Sequence, residues 1–334
     1  MCNHCGSTHK RYNSCRNRHC PQCQKMQKYK WIEQQEAKLL PCPYFHVVFT
    51  IPHQINDLNL AYPRSLYSIL FRAAWETLNS FGWNSKYIGG QIGSTMVLHT
   101  WGSNLSYHPH VHCIVPGGGL TVSGKWKSIK PRGKYLFPVK AMSEYFQGKY
   151  IAHLNKFMYD QGMDIDIIKK QIYRYKWTVY SKHTPRQKSN IISYLARYTH
   201  QIAITSSRIK EYNSENVKFS YTDYRHQNQN KSLTLDSWEF VRRLSLHILP
   251  HGFTRIRHFG ILSSKWQQDI FPIGLTTTDE WIQFWAEWQL NYHRCPLCKK
   301  GVLMIILKIP PQRGPPINSS IHTPPNQSLK ELVS

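Results

Sequence analysis

The sequence is short of acidic residues. Only 18 of its 334 residues are Asp or Glu, against 43 Lys and Arg, so the formal net charge is +25. A folded chain with so large an excess of one charge repels itself unless a polyanion neutralises part of it. A site for a small acidic molecule needs only a few cations. The balance therefore indicates nucleic acid as the partner.

Long apolar runs are missing as well. The longest, Val302–Leu307, is far shorter than the roughly 20 residues that cross a bilayer, and the N-terminus carries no apolar signal segment. We therefore expect a protein of a reducing cytoplasm, where its positive charge would associate it with the nucleoid. Hydrophobic residues make up 41% of the chain, which excludes disorder except in the Pro-rich stretch after Pro310.

The nine cysteines are mostly arranged in pairs with two residues between them. In a reducing compartment this spacing indicates metal thiolates and not disulfides. Cys2 and Cys5, followed by Cys20 and Cys23, form two tight turns that together predict one tetrahedral Zn²⁺ site.

Further candidate zinc ligands lie outside these two pairs. Cys15 and His19 stand between them, and either residue is a candidate to replace one ligand or to help hold a second ion. Cys295 and Cys298 form another pair with no partner pair nearby in the sequence. This last pair is interpreted either as metal-binding or as a turn with two idle cysteines.

A short run of histidines predicts a second metal site. Side chains two apart in a strand share a face, so His110 and His112 point one way while Val111 turns to the core. Their backbone separation, about 7 Å, lets two imidazoles converge on one divalent ion. The third ligand is expected from a neighbouring strand, with His99 the first candidate and His46 the second. The alternative is a strand whose histidines merely face solvent.

Two tyrosines are candidate nucleophiles. Tyr194 and Tyr198 lie four apart on a predicted helix and therefore on the same side of it, at the edge of its apolar face. A phenolate can attack a phosphodiester and form a covalent phosphotyrosine, and a histidine-bound metal would stabilise the developing charge. The alternative is an amphipathic tyrosine pair with a packing role only.

Strands and helices mix without a regular βαβ alternation, which favours the α+β class over a length of roughly two domains. The predicted strands are Tyr44–Ile51, Thr95–Trp101, His110–Val115 and Lys176–Tyr180, and the predicted helices are Leu58–Phe81, Val139–Met158 and Gln187–Thr199.

Six stretches, in this order, resemble the IS91-like transposases, rolling-circle enzymes of the His-hydrophobic-His (HUH) endonuclease superfamily. They are YNSCRNRHCPQCQ (12–24), PYFHVVFTIPH (43–53), LHTWG (98–102), HPHVHCIVPGGGL (108–120), YLARYTHQIAIT (194–205) and LPHGFTRIRHFGIL (249–262).

The resemblance implies an HUH-endonuclease-like antiparallel sheet with flanking helices, preceded by a small zinc-binding knuckle. It implies cleavage and rejoining of single-stranded DNA at the ends of a mobile element, through a 5′-phosphotyrosine intermediate and a catalytic Mg²⁺ or Mn²⁺. His110 and His112 match the two HUH ligands, and Tyr194 and Tyr198 match the paired tyrosines. His99, as the third ligand, rests on geometry alone.

We accordingly expect three parts: a zinc-binding, DNA-contacting domain at 1–40, a catalytic domain at 41–308 and a disordered tail at 309–334. Family members carry a helical segment before the zinc cysteines, so this chain is expected to be an N-terminally shortened copy. Two alternatives remain open: a non-enzymatic zinc-dependent DNA-binding protein, and a plasmid replication initiator or relaxase of the same chemistry.

Overall fold

In the computed structural model the chain consists of two compact units. The smaller unit contains Met1–Tyr12 and Thr276–Ser334, and the larger unit contains Asn13–Leu275. The residues that the structure describes are 1–8, 17, 19–20, 40, 42–129, 136–164, 170, 172–175, 177–184, 202–223, 226–264, 266, 295, 297–301, 303–304 and 306. The regular elements described below all belong to the larger unit.

Strands dominate this larger unit. They are β1 (Tyr44–Thr50), β2 (Gly93–Trp101), β3 (Tyr107–Pro116), β4 (Gly118–Leu120), β5 (Trp126–Ser128), β6 (Thr178–His183), β7 (Ile209–Tyr212), β8 (Asn216–Asp223), β9 (Gln229–Asp236) and β10 (Ile256–Gly260). Five of them form one antiparallel sheet in the order β10-β2-β3-β1-β6, β4 and β5 form a hairpin, and β7-β8-β9 form a second sheet.

Helices cover one face of the five-stranded sheet. They are α1 (Asn56–Ala61), α2 (Pro63–Trp83) and α3 (Val139–Asp160), with α4 (Ser237–Ser245) beside the second sheet. The single helix predicted over Leu58–Phe81 is divided in two. Its interruption is explained by Pro63, which begins α2 because its fixed φ and missing N–H suit the first turn of a helix and not its interior.

Every second side chain along the strands of this sheet points into the hydrophobic core. Val47 and Phe49 of β1 and Val111, Cys113 and Val115 of β3 all point toward α2 and α3, where they are almost completely buried. Their neighbours in the sequence point to the opposite face of the sheet. The predicted α+β class with an antiparallel sheet and flanking helices is therefore confirmed.

The second sheet has a small core of its own, in which Phe219 of β8 and Phe240 of α4 pack with Trp101 at the end of β2. Asp236 caps α4 because its carboxylate accepts hydrogen bonds from the backbone N–H groups of residues 238 and 239. None of the described helices combines the length and apolarity that crossing a membrane requires.

His247, just after α4, is buried near the end of β2, with Thr100 Oγ1 3.4 Å from its Nδ1 and the Leu105 carbonyl accepting from its Nε2 at 3.3 Å. Burial lowers the pKa of His247 from 6.5 to about 4. Between these two values the unfolded chain binds a proton that the folded chain does not, so stability falls as the pH falls.

We predict that His247→Gln makes the pH dependence of stability shallower between pH 6.5 and 4, by up to about 1.4 kcal/mol per pH unit. Denaturant unfolding of both proteins across this range measures the difference. Parallel curves for the variant and the wild type would contradict the assignment.

Candidate metal centre

Three imidazoles converge on the sheet face opposite α2 and α3. Antiparallel pairing places His99 of β2 directly beside His110 of β3, and His112 follows two residues later on the same face. One nitrogen from each ring lies within 4.8 Å of the other two. The Nε2 atoms of His110 and His112 are 3.0 Å apart, and the ring centres of His99 and His112 are 4.3 Å apart.

The far side of two of these rings is held by a hydrogen bond. His110 Nδ1 donates to the carbonyl oxygen of His108 at 2.7 Å. His112 Nδ1 lies 2.7 Å from His46 Nε2, and the tautomer that leaves His112 Nε2 as an acceptor has Nδ1 donating to His46. Metal-binding histidines are commonly oriented in this way, with the second ring nitrogen fixed by a partner.

Aromatic packing fixes the ring planes. His46 stacks on His112 with ring centres 5.0 Å apart and an interplanar angle of 11°. On the other side, Trp101 stacks on His99 at 4.6 Å and 18°. A shift in the β2–β3 register falls between His99 and Trp101, and such irregularities commonly re-aim side chains next to functional sites.

Burial favours the uncharged form of His46, His110 and His112. Loss of water contact lowers the pKa of His46 to about 3 and that of His110 to about 4, and it holds the pKa of His112 well below 6.5. The mutual proximity of the rings works in the same direction. At neutral pH the nitrogen lone pairs are therefore available, which is the state in which histidine binds metals.

The spacing fits a divalent ion. Two neighbouring ligands of an octahedral ion with bonds of about 2.1 Å stand about 3.0 Å apart, which is the separation of the Nε2 atoms of His110 and His112. The same distance also suits an N–H···N hydrogen bond, so the ligand assignment rests on the convergence of all three rings. His46, the second candidate for the third ligand, stands behind His112 as its hydrogen-bond partner.

Only some of the other predicted site residues are among those that the structure describes. Tyr194 and Tyr198 lie outside the described residues, as do Cys15 and Cys23. His19 is described, and Cys20 is a half-buried free thiol.

Among the described residues, the pair that approaches Cys2 and Cys5 is Cys295 with Cys298, and Cys20 is not part of that group. From the sequence alone, Cys295 and Cys298 could be either metal-binding or idle. The orienting role of His46 and the stacking of Trp101 were also missed, although the neighbouring strand positions of these residues follow from the alternation along β1 and β2.

Comparison with known proteins gives two family matches. The family described as "Transposase zinc-binding domain" matches residues 1–51, and the family described as "Putative transposase" matches residues 93–269.

Two curated proteins are similar over most of the chain. "Putative transposase y4qJ" of Sinorhizobium fredii (strain NBRC 101917 / NGR234) is 34% identical over 94% of this chain and 86% of its own length. "Transposase for insertion sequence element IS801" of Pseudomonas savastanoi pv. phaseolicola is 30% identical over 76% of this chain and 62% of its own length. No solved structure matches.

The fold and these matches together define a DNA-processing enzyme with a zinc-binding domain. The chain belongs to the transposase family, and its type is that of IS91 and IS801.

We predict that His46→Ala weakens Mn²⁺ binding at the histidine site ten- to a hundredfold, because His112 loses the partner that orients its ring. Isothermal titration measures the dissociation constant. His46→Gln, which keeps an acceptor for His112 Nδ1, should retain most of the affinity. His153→Ala is the matched control, because His153 lies on α3 and bonds Glu76 instead. Unchanged affinity in His46→Ala would contradict the orienting role.

Proposed function

We propose that this transposase cleaves and rejoins single-stranded DNA at the ends of a mobile element. In this proposal Tyr194 and Tyr198 are the nucleophiles, and His99, His110 and His112 hold a catalytic Mg²⁺ or Mn²⁺. The observation that carries the proposal is the convergence of three imidazoles from two neighbouring strands, of which His99 and His112 are buried and His110 is half-buried.

The burial of the histidines favours an enzyme over a passive DNA-binding protein. A solvent-facing histidine strand would leave its rings exposed, whereas His99 is 2% exposed, His112 is 8% exposed and His110 is half-buried. A role in packing alone does not require several lone pairs to meet at one point.

A divalent cation at this site would polarise the scissile phosphate and offset the charge that develops on its oxygens. The three imidazoles would hold that ion, and His46 and the His108 carbonyl keep two of the three rings aimed at the point where they converge. The general excess of positive charge provides affinity for the DNA backbone without reading its sequence.

The tyrosines would carry out the covalent step. A phenol loses its proton to solvent, and its oxygen attacks phosphorus; the bond to the 3′ oxygen breaks, and that oxygen takes up a proton to become a free 3′-OH. The downstream fragment is then attached to the protein through its 5′ phosphate. Attack by a 3′-OH on this linkage reverses the step and rejoins DNA. Two tyrosines allow two such transfers in succession.

Membership of the IS91 type favours a transposase over a replication initiator or relaxase of the same chemistry. The family match at residues 1–51 is to a zinc-binding domain. We propose that this part of the protein contacts DNA near the element end.

The first test separates cleavage from binding. His112→Ala should reduce the cleavage rate on a single-stranded element end by about a hundredfold or more, because transition-state stabilisation worth several kcal/mol is lost. DNA affinity should stay within about twofold, since it comes mainly from basic residues. His226→Ala, at an exposed position, is the control. Cleavage at the wild-type rate in His112→Ala would overturn the metal assignment.

The second test concerns the nucleophiles. Tyr194→Phe combined with Tyr198→Phe removes both phenol oxygens and keeps both rings, so DNA affinity and zinc content should be unchanged while all covalent adduct disappears. Denaturing gels with 5′- and 3′-labelled oligonucleotides identify the attached fragment. Tyr212→Phe, at an exposed position of β7, is the control. An adduct that survives the double change, or one on the 3′ side of the cut, would contradict the proposal.

A further inference from the structure

Four thiols from opposite ends of the chain meet in the smaller unit. Cys2 Sγ lies 3.7 Å from Cys298 Sγ, and Cys5 Sγ lies 3.7 Å from Cys295 Sγ. All four sulfur atoms lie within 4.8 Å of one another. These cysteines are separated by about 290 residues in the sequence, so their meeting is a property of the fold and not of local spacing.

The sulfur separations are those of a tetrahedral zinc site. Four ligands at a Zn–S distance of about 2.3 Å stand about 3.8 Å from one another, because they occupy the corners of a tetrahedron. A disulfide would need two sulfurs at about 2.0 Å, which neither pair approaches. Four thiolates and no other ligand are a common donor set for structural zinc.

Both pairs occupy the same kind of turn. The residue after the second cysteine donates its backbone N–H to the carbonyl of the first: Gly6 to Cys2 at 3.1 Å, and Lys299 to Cys295 at 2.9 Å. Both donors have positive φ, +68° and +55°. A lysine rarely adopts this conformation without a structural reason, and the matching turn provides one.

The surroundings suit thiolates. Backbone N–H groups of His4 and Gly301 point at Cys2 Sγ and Cys298 Sγ, at 3.4 and 3.3 Å. Ser7 Oγ lies 3.3 Å from Cys295 Sγ, within hydrogen-bond distance of it. Donors around a sulfur favour its negative form.

Backbone contacts close the unit around this cluster. Cys2 pairs with Leu303 in an antiparallel bridge, and Met304 donates to the carbonyl of Met1 at 2.8 Å. A side chain at Gly301 would collide with Cys2 Sγ, so this close approach requires glycine.

We propose that Cys2, Cys5, Cys295 and Cys298 bind one structural Zn²⁺ that joins the start of the chain to the segment around residue 300. The match to a zinc-binding domain ends at residue 51 and thus contains only half of this ligand set. Cys20 and Cys23, with Cys15 and His19, then form a separate candidate set for a second ion. This zinc site can be tested independently of the proposed cleavage chemistry, because the measurements are of metal content and thiol reactivity.

Zinc content of purified full-length variants tests which cysteines share an ion. Cys2→Ser with Cys5→Ser should lose one zinc per chain, and so should Cys295→Ser with Cys298→Ser. The quadruple variant should lose the same single equivalent, since all four ligands hold one ion. Cys42→Ser, outside the cluster, is the matched control and should lose none. Full zinc content after removal of Cys295 and Cys298, or loss of two equivalents in the quadruple variant, would overturn the proposal.

The wild-type protein provides a test that does not depend on the variants folding. Maleimide labelling followed by peptide mass spectrometry should find all four cysteines protected, and a chelator should expose them together. Diamide added after the chelator should then link residues near the N-terminus to the 295–298 peptide by a disulfide, because the thiols are already close. Exposure of Cys2 and Cys5 together with Cys20 and Cys23, while Cys295 and Cys298 react throughout, would refute the shared site.

Discussion

Side chains along β3 alternate between two environments, and the candidate active site depends on that alternation. Val111, Cys113 and Val115 fill the core under α2 and α3, while His110 and His112 stand on the opposite face. A slip of one residue in the pairing with β1 or β2 would exchange the two sets, exposing the apolar side chains and burying the imidazoles in the core. The packing of the apolar face therefore fixes the register that brings the histidines together.

The same sheet explains the chemistry of these histidines. His99 enters from β2 and His46 from β1, so β3 is flanked by a third candidate ligand on one side and by an orienting partner on the other. Because the rings are largely removed from water, their pKa values fall and they stay neutral. Burial thus keeps ring nitrogens unprotonated at neutral pH, and it makes the cluster less stable in acid.

Local patterns could predict much of this arrangement. The runs around β1, β2 and β3 carry clear strand periodicity, and the adjacency of His99 and His110 follows from antiparallel pairing of neighbouring strands. The long-range contacts could not be predicted. Three C-x2-C pairs allow several pairings, and spacing favoured the two that are close in sequence. The partner of Cys2 and Cys5 is determined by a contact across nearly the whole chain, which no local pattern contains. The division of the helix at Pro63 is a milder case, in which the sequence did contain the reason.

The proposed metal site consists of His99, His110 and His112 around one divalent ion. Electron spin-echo envelope modulation of the Mn²⁺-loaded protein measures it most directly, because the method counts imidazole nitrogens bound to the ion. We expect three coordinated imidazoles in the wild-type protein and two in His99→Ala. A spectrum without imidazole coupling, or one that His99→Ala leaves unchanged, would contradict it.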